Sequence, residues 1–163
     1  MATPFFKVYE AFLSRISADE WTIEEDIAIV ERDWQQLLDA AVFRFKYPRV
    51  SLEKVDLDSC ECNGMVFSQG FEGDLNQDEI QLLAIFMKHE WIKRCIATWE
   101  NIRQLYADKD FSQANHLDKL NKLQEAVADE CHRAEGIYDR SRNKRPASAF
   151  KKLAGKKHVS RNF

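Results

Sequence analysis

Apolar positions recur with a helical period over most of this chain, and the longest such stretch runs from Leu75 to Tyr106. One stripe comprises Ile80, Ala84, Met87, Trp91, Cys95, Ile102 and Tyr106, and a second comprises Leu82, Ile85, Phe86, Ile92, Ile96 and Trp99. Two stripes that nearly merge between Ile80 and Met87 mark a helix covered on more than one side, so this segment reads as the spine of the fold. Asn76 followed by Glu79 supplies a capping box at its start: the Asn side chain accepts from an early backbone N–H while Glu79 reaches back.

The same period predicts three further helices. Pro4 suits a first helical turn, and Phe5, Val8, Tyr9, Phe12, Leu13 and Ile16 follow it in a short helix ending near Ser17. Thr22 and Glu25 form a second capping box, opening a long helix whose stripe is Ile23, Ile27, Val30, Trp34, Leu37, Leu38, Ala41 and Phe45. Tyr47-Pro48 ends it, because proline cannot continue the ladder and its predecessor is pushed out of the α region. A last helix, capped by Asp110 or Ser112, carries Leu117, Leu120, Leu123, Val127, Cys131, Ala134 and Tyr138 and is expected to run antiparallel to the spine.

Between the second helix and the spine the character changes. The span from Val50 to Leu75 contains Gly64, Gly70 and Gly73 and the β-favouring runs Val50–Leu57 and Met65–Phe67. Asn63-Gly64 suits a tight turn, so a hairpin or irregular loop is expected there. From Ser141 onward the periodicity vanishes. The expected fold is therefore mainly α: an antiparallel bundle of about four helices in residues 1–140, a β-hairpin-like insertion at 50–74, and an extended basic tail over 141–163.

Charge sharpens that division. Nine of the 24 basic residues and none of the 27 acidic ones lie between Arg140 and Phe163, which leaves residues 1–139 with 15 basic against 27 acidic side chains. An acidic body carries a cationic tail. The tail has too few apolar residues to offset its ordering entropy alone, so it is expected to stay extended until something binds it. A hydrophobic content of 45% over 163 residues is enough for one real core. No run of 18 apolar residues and no signal-peptide pattern occurs, so the chain reads as a protein kept inside a cell.

Candidate chemistry is sparse. Cys60 and Cys62 can supply half of a metal site, but His89, His116, His132 and His158 are scattered and no second Cys pair exists. Cys95 and Cys131 sit on helical stripes, where reduced buried thiols are the expectation. No nucleophile elbow or phosphate-binding glycine loop is present, and His116 has no nucleophile partner in sequence. The acids Glu24, Glu25, Asp78 and Glu79 stand at helix starts, where capping and the helix dipole account for them. The expectation is no enzyme, no cofactor and no metal.

The tail is the segment that points to a partner. Its cations Arg142, Lys144, Arg145, Lys151 and Lys152 are followed by Lys156 and Lys157, and Phe150 and Leu153 stand among them as apolar anchors. That combination suits docking on an acidic partner surface or on the acidic body of a neighbouring copy. Nucleic acid is the alternative acceptor, with the chain as a helical binding or regulatory module using a basic arm. The acidic body and the lack of a base-reading motif weigh against it.

The sequence also resembles a known family. Phe45-Lys46-Tyr47-Pro48-Arg49, Asp74-Leu75 with Glu79-Ile80, and the run Asp110-Phe111-Ser112-Gln113-Ala114-Asn115-His116-Leu117 look like the small helical head-to-tail connector, or neck, proteins of tailed bacteriophages, over roughly residues 20–140. The resemblance implies a bundle repeated in a ring, dodecameric, beneath the capsid portal in the neck of the virion, after synthesis in the host cytoplasm. Implied partners are the portal protein, adjacent copies of the chain and the next neck or tail-completion protein, with transient contact to packaged DNA and none to a membrane. In this frame the basic tail grips the portal. The insertion, with Val55, Leu57, Met65, Phe67 and Phe71, contacts a neighbouring copy or the next ring. The cysteine-rich turn has no counterpart in the family pattern.

Overall fold

A computed structural model describes residues 2–16, 27–62, 65–105 and 111–142, with some residues bordering these gaps described as backbone alone. The chain forms β1 (Thr3–Pro4), α1 (Phe6–Leu13), α2 (Ile27–Arg44), β2 (Lys54–Cys62), β3 (Met65–Phe71), α3 (Gln77–Leu105) and α4 (Phe111–Arg142). It is a mainly helical bundle with a small antiparallel sheet.

The spine is α3. Ile80 and every residue from Leu82 to Met87 are buried, so this half of the helix is enclosed on all sides, as its merged stripes require. α1, α2 and α4 supply the cover. α4 runs antiparallel to α3, since Tyr138 reaches Glu79 while Cys131 sits against the Ile85 carbonyl. α2 is also antiparallel to it: Arg44 lies over the Phe86 ring and Asp33 pairs with Arg94. The capping box forms as the sequence indicates, with Glu79 N donating to Asn76 Oδ1 at 2.9 Å and Asn76 N to Glu79 Oε2 at 3.1 Å.

β2 and β3 pair antiparallel from Lys54↔Phe71 to Cys62↔Met65, which gives the expected hairpin; its Asn63-Gly64 link lies outside the described residues. Between Asp56↔Gln69 and Cys60↔Phe67 the register shifts, because β2 spends four residues where β3 spends two. The bulge bends β2 while β3 continues.

The N-terminus departs from expectation. Thr3 and Pro4 are not in a helical turn but pair with Phe71 and Gly70 as a third strand, giving the order β1-β3-β2. Proline lacks an N–H and is tolerated on this edge. Gly70 permits the approach, since a Cβ there would stand 2.5 Å from the Thr3 carbonyl oxygen. Thr3 then ties the sheet to the spine: its hydroxyl donates to Gly73 O at 2.9 Å and accepts from Leu75 N at 2.8 Å. α1 itself stops at Leu13, where Arg15 N to Phe12 O and Ile16 N to Leu13 O tighten the chain into i→i+3 turns. Thr22, Glu25 and the early acids of the second helix lie outside the described residues.

Candidate functional site

The residues with most to say about function gather where α4 ends and the basic tail begins. Glu79 is 1% exposed at the first turn of α3. A carboxylate so deeply buried is tolerated only if its oxygens are satisfied. Oε2 accepts from Asn76 N, and Oε1 accepts from Arg49 N at 3.0 Å and from the Tyr138 hydroxyl at 2.7 Å. One side chain thus ties the start of α3, the linker after α2 and the last turns of α4 together. Burial first, and then the hydrogen bond to Glu79 and its charge, push the Tyr138 hydroxyl up to about 12.

The linker returns those contacts. The Arg49 guanidinium lies 5.2 Å from the centre of the Tyr138 ring and donates to Ser141 Oγ at 2.9 Å, while Ser141 Oγ donates to Tyr138 O at 2.7 Å. Arg142 Nη1 donates to Tyr47 O at 2.8 Å. Phe45 packs edge-on against both Tyr138 and Phe86, at 5.3 and 6.1 Å between ring centres. The root of the tail is therefore clamped to the body. Beside it lies a cavity of about 150 Å³ whose lining includes Phe45, Tyr47, Leu82, Tyr138, Glu135 and Asp139.

Large apolar side chains face outward in the same region. Phe43 on the last turn of α2 is 92% exposed, Tyr47 is 63% exposed and Ile137 on α4 is 61% exposed. Their elements meet here, as the Arg44–Glu135 ion pair and the Phe45–Tyr138 contact show.

The sequence-predicted site residues divide. Arg142 is an exposed residue of α4, two residues beyond the expected helix end, and is engaged with the linker. Lys144, Arg145, Phe150, Lys151, Lys152, Leu153, Lys156 and Lys157 lie outside the described residues. Within the insertion, Val55 and Leu57 are half-buried and the Met65 side chain is outside the description. Phe67 and Phe71 are not surface residues. Both are buried in the core, Phe71 against Phe5 at 4.8 Å and Phe67 against Phe6 and Tyr9 at 6.0 Å each, so they anchor the sheet on α1 and offer no contact surface. Among the described side chains of that strand, the large apolar one that is exposed is Val66.

Ionisable groups elsewhere are occupied structurally. His89 Nδ1 faces Arg44 Nη1 and Glu90 Oε1 at 3.2 Å each, so it accepts from the first or donates to the second. Burial works to raise the Glu90 carboxyl, but hydrogen bonds from Lys93 and His89 outweigh it and hold the group below its ordinary value. Cys131 is buried and burial pushes its thiol up to about 11, the behaviour of a core residue and not of a nucleophile. Among the described residues, no cluster of three His, Cys, Asp or Glu side chains is arranged to hold a metal ion, and no helix is long and apolar enough to cross a membrane. The side chains of Cys60, Cys62 and His116 lie outside the description.

Sequence reasoning singled out Glu79 as a cap but not as a hub, and it missed Phe43, Arg49 and Tyr138 as members of the site. The aromatic and basic cluster Phe45-Lys46-Tyr47-Pro48-Arg49 was the available signal for the linker. No family model, curated protein or solved structure matches the chain.

Proposed function

We propose that this protein is a structural connector of a tailed bacteriophage: a helical body that packs beside copies of itself in a ring between portal and tail, with the basic C-terminal segment gripping the portal. The observation that carries this reading is the display of Phe43, Tyr47 and Ile137 around a rigidly braced tail root. Exposed apolar side chains of this size, carried by elements that meet there, suit burial against another protein surface. The clamp of Arg49, Tyr138, Ser141 and Arg142 gives the tail a fixed point of departure, which lowers the cost of ordering it on a partner. The opposite charges of body and tail set the direction of encounter.

Deleting residues 143–163 tests the assignment of the tail. The shortened chain is expected to keep its helical content and melting transition and to lose binding to the portal protein in a pull-down. Undiminished binding by the shortened chain contradicts the gripping role. Salt-sensitive binding of the full chain to duplex DNA, with none to portal, favours the basic-arm module instead.

A further inference from the structure

Exposed side chains follow one another along α2 at alternating steps of three and four residues: Ile29, Arg32, Gln36, Asp39 and Phe43. At about 100° per residue those steps hold all of them within about 60° of one direction, so they form a single outward stripe. Such a stripe is ordinarily polar from end to end. This one begins with Ile29, 62% exposed, ends with Phe43, and keeps its charges for the middle.

The order of these groups is self-complementary. Gln36 lies midway, with Ile29 and Phe43 about 10 Å to either side of it along the helix axis. A second copy of α2 laid antiparallel on the stripe, with a two-fold axis at Gln36, sets Ile29 against the partner's Phe43 and Arg32 against the partner's Asp39. Gln36 then meets its own counterpart, and a primary amide both donates and accepts. On the other flank Asp33, already paired with Arg94, meets only the small side chain of the partner's Ala40. A parallel arrangement would instead oppose Arg32 to Arg32 and Asp39 to Asp39, so charge selects the antiparallel one. The groups are also available for it. Arg32 makes no hydrogen bond or ion pair among the described residues, and the ion pair of Asp39 with Lys54 uses Oδ1, which leaves Oδ2 for a second cation.

We propose that the outer face of α2 is a two-fold docking surface for a second copy of this chain, held by the Ile29–Phe43 contacts at its ends and the Arg32–Asp39 ion pairs between them. The pairing goes beyond the connector reading and stands without it, since a two-fold contact closes at two copies and cannot build a ring. If the connector reading holds, the dimer precedes the ring and keeps Phe43 covered until assembly. A stripe of this length is at the small end of specific interfaces, so the association is reversible and is expected at protein concentrations on the order of 100 µM.

Sedimentation equilibrium of the full-length protein tests this without any other partner. The unaltered chain is expected to pass from monomer to dimer as concentration rises. Arg32→Asp and Asp39→Arg, each alone, oppose like charges across the axis and should weaken self-association at least about tenfold. An equimolar mixture of the two variants should associate as the unaltered chain does, because every altered side chain then faces its opposite. Both positions are exposed, so the circular dichroism of each variant should match that of the unaltered chain. An unaltered chain that stays monomeric up to about 1 mM overturns the proposal. Self-association indifferent to either substitution, or a mixture that fails to recover it, does the same. Larger oligomers that both substitutions leave intact also overturn it, while leaving the ring reading in place.

Discussion

The Tyr138 hydroxyl donates to Glu79 Oε1 at 2.7 Å, joining the last turns of α4 to the first turn of α3 across 59 positions of sequence. Because the carboxylate is enclosed, each of its donors matters more than a surface bond does. Tyr138→Phe, which removes one donor and little volume, is expected to lower stability by about 1–3 kcal/mol in urea denaturation. Glu79→Ala removes the capping interaction as well and leaves the hydroxyl and the Arg49 amide unpaired, so it should cost more. Equal, negligible effects of both changes would remove the hub from the account.

Alkaline pH should probe the same bond. Tyr138 titrates from an ordinary 10.0 to about 12, and Cys131 from 9.0 to about 11, burial being the largest cause in each. Both groups hold their protons more tightly when folded, so the unfolded state releases protons first as pH rises. Their contribution is complete below about pH 9 and is lost progressively between pH 9 and 12. Each two-unit shift corresponds to roughly 2–3 kcal/mol. Urea midpoints taken from pH 8 to pH 11 should fall steeply in the unaltered chain and less steeply in Tyr138→Phe, while identical slopes would argue against the Tyr138 contribution.

Two glycines are expected to respond in opposite directions to alanine. At Gly70 the added methyl would lie 2.5 Å from both the Thr3 carbonyl oxygen and Leu57 Cδ1, so β1 must detach or shift, at about 1–3 kcal/mol. At Gly136, inside α4, the nearest group to an added methyl is Arg140 Nη1 at 3.8 Å. Gly136→Ala should therefore stabilise the protein by up to about 1 kcal/mol through helix propensity. Thermal melts of the two variants check both signs.

Phe43 and Phe86 separate stability from assembly. Phe86 is fully enclosed, and Phe86→Ala should cost about 3–5 kcal/mol. Phe43 is 92% exposed, so Phe43→Ser should move stability by no more than about 0.5 kcal/mol while weakening association with a neighbouring copy or the portal. A Phe43→Ser chain that assembles normally would place the interface elsewhere.

What the sequence disclosed was mostly local. The Asn76–Glu79 box lies three residues apart, and the merged stripes of Ile80 to Met87 needed only the helical period. The hairpin followed from β-favouring runs around Asn63-Gly64. Thr3–Pro4 was missed because a strand of two residues has no period to read, and its pairing depends on the bare backbone of Gly70. Phe67 and Phe71 share one face of β3, which alternation reveals. That this face meets α1 and not a neighbour depends on where β1 and α1 dock, which no local pattern states. The site at the tail root was illegible for the same reason: Glu79, Arg49 and Tyr138 are brought together by the antiparallel return of α4.

The most direct measurement for the proposed connector role is cryo-electron microscopy of the particle or complex from which the chain is isolated. A connector would stand as a closed ring of this fold directly below the portal, with Phe43 and Tyr47 buried against protein and residues 143–163 running into portal density. A virion whose neck lacks this fold, or a ring whose basic segments point away from the portal, would contradict it.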